Sequence, residues 1–150
     1  MTALRTAVNN SSAKILITEV STGVNIDIRT SSENAWKTYG VPSGVAAFTL
    51  MYDTDGKRIE GYYDASGSTG KLDYANILLN PKESASGYAD IAYPSSDTVQ
   101  TNVLVHEVGH AIGLWHCTHS YPSVMKPITS SSPAYFTAHD NDCLKAYYGS

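Results

Sequence analysis

The order of patterns along the chain predicts an α+β fold, a mixed, twisted β-sheet backed by helices. Three observations carry this expectation. Alternating segments rich in β-branched residues fill the first half, one long apolar stripe of helical period follows them, and a capped helical segment closes the chain.

Leu4, Ala7 and Val8 share one helical face, so residues ~2–12 predict a short N-terminal helix ending in Asn9-Asn10-Ser11-Ser12. KILITEV and VNIDIRT, divided by Ser21-Thr22-Gly23, read as two strands or one broken strand, with Val24, Ile26 and Ile28 on one face. GVAAFTLMY is the next strand. The Asp-Gly pair of Asp53-Thr54-Asp55-Gly56 then suits a tight turn into KRIEGYY. The same four residues resemble a fragment of a calcium loop, but the third acidic position and the terminal glutamate are missing. YANILLN reads as a further strand. Beyond it the period changes: after the N-cap candidates Ser95-Ser96-Asp97, residues Val103, Leu104, Val108, Ala111 and Ile112 mark one long helix up to Gly113. A loop rich in Pro and Ser follows, and Thr137 with Asp140 makes a capping-box-like start to a last helix ending at Gly149.

At 150 residues the chain suits one domain. The expected division is a sheet-rich upper part to about residue 113 and a short lower part over about 114–150. A hydrophobic content of 42% fits a globular core, and no apolar run reaches the ~18–20 residues of a membrane span. A net charge of −4 without basic runs argues against nucleic acid as a partner. The start, MTALRTAVNN, lacks the regions of a signal peptide. Charged residues are scarce and cysteines even in number, so the expectation is a secreted protein from which a targeting segment has been removed.

Chemistry concentrates in HEVGHAIGLWH, where three of the five histidines fall. On a helix, His106 and His110 lie one turn apart on one face and can direct two imidazoles at one ion. Glu107 is rotated by about 100° from His106, which makes it a poor ligand but brings its carboxylate to where water at the ion would sit. Gly113 can take the left-handed conformation that ends the helix and turns the chain back, so that His116 approaches as a third ligand. Three neutral imidazoles leave one tetrahedral position open, the layout of a catalytic zinc site. The expected chemistry is hydrolysis of a peptide bond through a zinc-bound water that Glu107 deprotonates, Glu107 then handing the proton to the leaving amine.

These residues resemble the metzincin pattern of metallopeptidases, H-E-x-x-H-x-x-G-x-x-H followed by a Met-turn. Ser123-Val124-Met125 matches that turn, and the resemblance implies that Met125 forms a hydrophobic floor beneath the histidines. Astacins and serralysins carry a Tyr where Pro127 stands, and snapalysins use Asp in place of His116. Archaemetzincins share a cysteine at Cys117 but add a cysteine cluster for a second zinc, and Pro122 stands where the next cysteine would fall. The chain is most similar to the matrixins, in QTNVLVHEVGHAIGL, Met125-Lys126-Pro127, DNDCLKAYYG and ITEVSTGVNIDI. A metzincin-like catalytic domain with protein or peptide substrates is thereby implied; a monomer without membrane insertion is expected. All five histidines lie at or beyond His106, so the histidine-bound structural zinc of vertebrate matrixins has no ligands here and one zinc is expected; calcium stays open.

If the matrixin layout holds, GVAAFTL is the edge strand above the cleft, and Val45, Ala46 and Ala47 offer backbone groups to an extended substrate. A strand paired inside the sheet is the other reading. Residues 126–136 would line the pocket for the residue after the cut. Cys117 and Cys143 would close a loop worth roughly 3 to 4 kcal/mol if joined, or stand as two free thiols. His119 lies close enough in sequence to contact substrate, His139 suits a helix N-terminus, and any of the 11 tyrosines near the cleft would suit an oxyanion. A catalytically silent zinc-containing binding or toxin module with the same fold is the functional alternative.

Overall fold

Alternation in VNIDIRT becomes strand β1, Ile26–Thr30, in a computed structural model that describes residues 25–42, 45–59, 72–80, 97–127 and 133–148. Helix α1, Glu33–Thr38, follows at once, with the Ser32 side chain accepting from Ala35 N as an N-cap. Strand β2 is Ala47–Asp53, strand β3 is Leu72–Leu79, helix α2 is Asp97–Ala111 and helix α3 is Ala138–Tyr148. The helix expected over 2–12 and the strand KILITEV lie outside the described residues.

The sheet is mixed, in the order β1-β3-β2. β1 runs parallel to β3 with Ile28 opposite Ile77, and β2 runs antiparallel to β3 with Ala47 opposite Leu79 and Thr49 opposite Ile77. Beyond β2 the Asp53 carboxylate accepts from Asp55 N at 3.0 Å and Lys57 N at 2.8 Å, while Asp53 N donates to Lys57 O. These bonds make the Asp-Gly stretch a hairpin turn. The returning chain stays with β2 through Arg58 opposite Tyr52 and Ile59 N donating to Met51 O; the rest of KRIEGYY lies outside the described residues.

Side chains of β3 alternate between the two faces of the sheet. Ala75 and Ile77 pack with Leu104, Val105, Val108, Ala111 and Ile112 of α2 and its end, together with Val124, Met125, Phe136 and Leu144. Leu78 points the other way, into a cluster with Leu50 and Trp36 of α1, whose indole Nε1 donates to Pro42 O at 3.1 Å. Every residue from Asn102 to Gly109 is buried, so α2 is sunk into the protein rather than laid on its surface. A segment this buried keeps a fixed orientation, which is what side chains that must meet at one point require.

β2 and α2 run in step. Ala47 packs against Val103, and Thr49 reaches Glu107. Two residues along a strand advance about 6.7 Å and four along a helix about 6 Å, so one contact sets up the next.

The capping box foreseen at the last helix is present: Thr137 N donates to Asp140 Oδ2 at 2.9 Å, and Asp140 N points back to Thr137 Oγ1 at 3.4 Å. Cys117 and Cys143 are both free thiols here, the second of the two states considered from sequence. The Cys117 sulfur instead lies beside the imidazoles of His119 and His139.

Candidate active site

The end of α2 shapes the site. Gly113 has φ +92°, Gly113 N donates to His110 O at 2.9 Å, and Leu114 N donates to Gly109 O at 2.8 Å. This is a Schellman ending, which needs a residue without Cβ at the left-handed position. It reverses the chain within three residues and brings His116 back over the helix. Tyr148 of α3 braces the turn from behind, its hydroxyl donating to Ile112 O at 2.8 Å.

The three imidazoles converge as a result. Nε2 of His116 lies 3.3 Å from Nε2 of His106 and 3.2 Å from Nε2 of His110. Nδ1 of His106 meets Val124 O at 2.7 Å, and Nδ1 of His110 meets Leu114 O at 2.9 Å. A carbonyl only accepts, so in both rings Nδ1 carries the proton and Nε2 presents a lone pair. Burial keeps these rings neutral, holding His106 down at about 4 and His110 at about 3, with the mutual repulsion of the imidazoles adding to it. His116, the most exposed of the three, is also lowered by desolvation. Lone pairs pointed at one spot repel unless a cation sits between them. Nitrogens bound tetrahedrally to zinc at about 2.0–2.1 Å are separated by about 3.3–3.4 Å, so the donor set fits that ion.

Glu107 stays off this triangle. Its carboxyl is buried against β2, where Thr49 Oγ1 donates to Oε2 at 2.6 Å. Loss of solvent pushes its pKa up to about 7, against the lowering effect of the Thr49 bond.

Beneath the helix lies the segment Ser123-Val124-Met125. Met125 is 2% exposed, and a Cβ built on Gly109 would stand 2.3 Å from its sulfur, so the absence of a side chain at Gly109 is what admits the methionine. The Asp140 carboxylate holds this segment: Ser123 Oγ and Val124 N donate to it, and Met125 N donates to Ser123 Oγ at 2.9 Å. Thus α3 positions Val124, and Val124 O positions the His106 ring.

The matrixin family model matches residues 12–149. The chain belongs to the matrixin family. No curated protein and no solved structure matches it. Matrixins are zinc metallopeptidases, and the group of three histidines in this matrixin can hold such an ion.

The remaining sequence candidates sit nearby. Val45 N donates to Pro42 O, Val45 O accepts from Asn80 Nδ2 at 2.6 Å, and Ala46 O accepts from Asn80 N at 3.0 Å. That last bond fixes the alternation of the ladder, so the backbone of Ala47 and Thr49 faces away from β3. The returning residues 57–59 pair with this same edge at Met51 and Asp53, and among the described residues none pairs there with Ala47 or Thr49. Of residues 126–136, positions 128–132 lie outside the described ones, and Phe136 is buried against Gly109. Thr49, Gly109, Ser123 and the Asp140 clamp were not anticipated in the sequence. Of these, Asp140 left a signal as half of a capping box, and Ser123 as part of the Met-turn match.

Proposed function

We propose that this matrixin is a secreted, zinc-dependent endopeptidase. One observation carries the reading: the Nε2 atoms of His106 and His110, at one end of a buried helix, both lie within 3.3 Å of His116 Nε2, and a desolvated carboxyl, Glu107, follows His106. Zinc would act there as a Lewis acid toward the scissile carbonyl and toward water. His106, His110 and His116 hold the ion, and Met125, in the position of a Met-turn, forms the floor under them.

Glu107 moves the proton. As a carboxylate it accepts from the attacking water, and as the acid so formed it donates to the departing amine nitrogen. A pKa near neutrality suits both halves of that exchange, because neither form is strongly favoured. Thr49 keeps the carboxyl aimed by binding one oxygen. The outward-facing backbone of Ala47 and Thr49 offers an extended peptide a strand to pair with; Val45 and Ala46, flanking Ala47, shape the approach to that edge.

Unfolded casein is the test substrate, with elemental analysis of the same preparation. Glu107→Ala should retain bound zinc and lose at least about a hundredfold in kcat/KM. A chelator should abolish hydrolysis by the unchanged protein, and added zinc should restore it. Substantial cleavage by Glu107→Ala would remove Glu107 from the mechanism, and no cleavage by the zinc-loaded protein would favour the silent binding module.

A further inference from the structure

A second group of ligand-type side chains lies outside the histidine triangle. The Cys117 sulfur and one ring nitrogen each of His119 and His139 lie within 4.8 Å of one another. Two of them come from the chain just past His116 and one from the first turn of α3. Cys143 stands one turn further along α3, on the face that carries His139. Both cysteines are half-buried free thiols packed against the main core, and the Tyr121 ring stacks on His139 at 5.3 Å.

We propose that Cys117, His119 and His139, with Cys143 as the fourth donor, form a second metal site that takes zinc. The donor chemistry is selective. Two thiolates and two imidazoles make a closed tetrahedral set of the kind that holds structural zinc, unlike the all-nitrogen, open triangle of the first site. The geometry is close to bound distances: a zinc ion draws sulfur and nitrogen donors to about 3.3–3.6 Å from each other, which side-chain rotation about a 4.8 Å group supplies. Position supports it further, since Cys117 and His119, two residues apart in a loop, meet His139, and Cys143 follows His139 by one helical turn. Each thiol releases its proton to solvent as the ion binds. Cys117 is covalently next to His116, so this ion would tie the segment of the third active-site ligand to α3, the role that a disulfide would otherwise have filled.

The site can be read independently of hydrolysis. Reduced, metal-free full-length protein, loaded with zinc and desalted, should carry two ions per chain. Loaded with cobalt(II), it should show a thiolate-to-cobalt charge-transfer band, which the sulfur-free histidine triangle cannot produce. Cys117→Ser and Cys143→Ser should each halve that band, and the two together should remove it. The His106→Ala/His110→Ala double variant should keep the band and one ion. His119 is exposed, so His119→Gln leaves folding intact and should weaken the second ion by tenfold or more. A single ion per chain in the unchanged protein, absence of the band, or a band indifferent to both serine variants would overturn the proposal. So would a Cys117–Cys143 disulfide in protein prepared with zinc and without reductant.

Discussion

Thr49 acts on the site through Glu107, and Gly109 through the room it leaves for Met125. The Thr49 hydroxyl binds the ionised form of Glu107 and so lowers a pKa that burial has raised to about 7. A cation beside the carboxylate lowers it further. Glu107 accepts a proton only when ionised, so kcat/KM rises with pH through this pKa. Thr49→Val keeps the shape and deletes the bond, and it should move the acid limb of the pH profile upward while leaving zinc content unchanged; an unmoved limb would deny Thr49 that influence. Gly109→Ala tests the floor. The new Cβ meets the sulfur of a fully buried Met125, and such overpacking costs about 1–3 kcal/mol, against roughly 1 kcal/mol regained in helix propensity. The thermal midpoint should fall slightly, and zinc affinity should fall more, because the displaced methionine lies next to the Val124 carbonyl that aims His106.

The clamp between α3 and the Ser123-Val124-Met125 segment belongs to the scale of elements. Asp140 is 2% exposed and accepts from Ser123, Val124 and Thr137. Asp140→Ala leaves these donors buried without partners, at about 1–3 kcal/mol each, so a loss of at least about 3 kcal/mol is expected in denaturant titrations. Asp140→Asn keeps one acceptor oxygen and should cost less. Both should weaken zinc binding, since His106 loses a fixed partner for Nδ1. Elements of this kind were unequally legible in the sequence. The spacing of His106, His110, Gly113 and His116 dictated a convergence because helix period and a glycine ending leave little freedom, and the strands showed because β-branched residues alternate. Helix α1 is not foreseen in the sequence, because six residues are too few to show a period. Thr49 was unreadable for a different reason, since its partner lies 58 positions away and only the pairing of β2 with α2 brings them together.

At the scale of the whole molecule, buried titratable groups couple folding to pH. In the unfolded chain His106 and His110 titrate near 6.5, and folding lowers them to about 4 and about 3. Below pH 6.5 the unfolded state therefore binds more protons at these sites, and stability must rise with pH across the window from about 4 to 6.5. Lowering of His116 adds in the same direction. Glu107 opposes this: its value rises from 4.5 to about 7, so between those values the folded state binds the extra proton and stability falls as pH rises. The lowered histidines outnumber the one raised glutamate, so between about pH 4.5 and 6.5 the unfolded state binds more protons and stability rises with pH. Metal-free protein should thus lose stability on acidification through that window, measured as urea midpoints at fixed ionic strength. Zinc binds the folded site and competes with the same protons. Its stabilisation, about 2.7 kcal/mol at a hundred times Kd near neutrality, should persist on mild acidification and be lost as pH falls through about 4 and about 3, where the folded-state histidines take up protons. His106→Ala with His110→Ala should remove the acid slope or reverse its sign, since Glu107 is then opposed by His116 alone, and should abolish the part of the zinc effect that arises at the histidine triangle. An acid slope unchanged in that variant would place the proton-linked stability elsewhere in the fold.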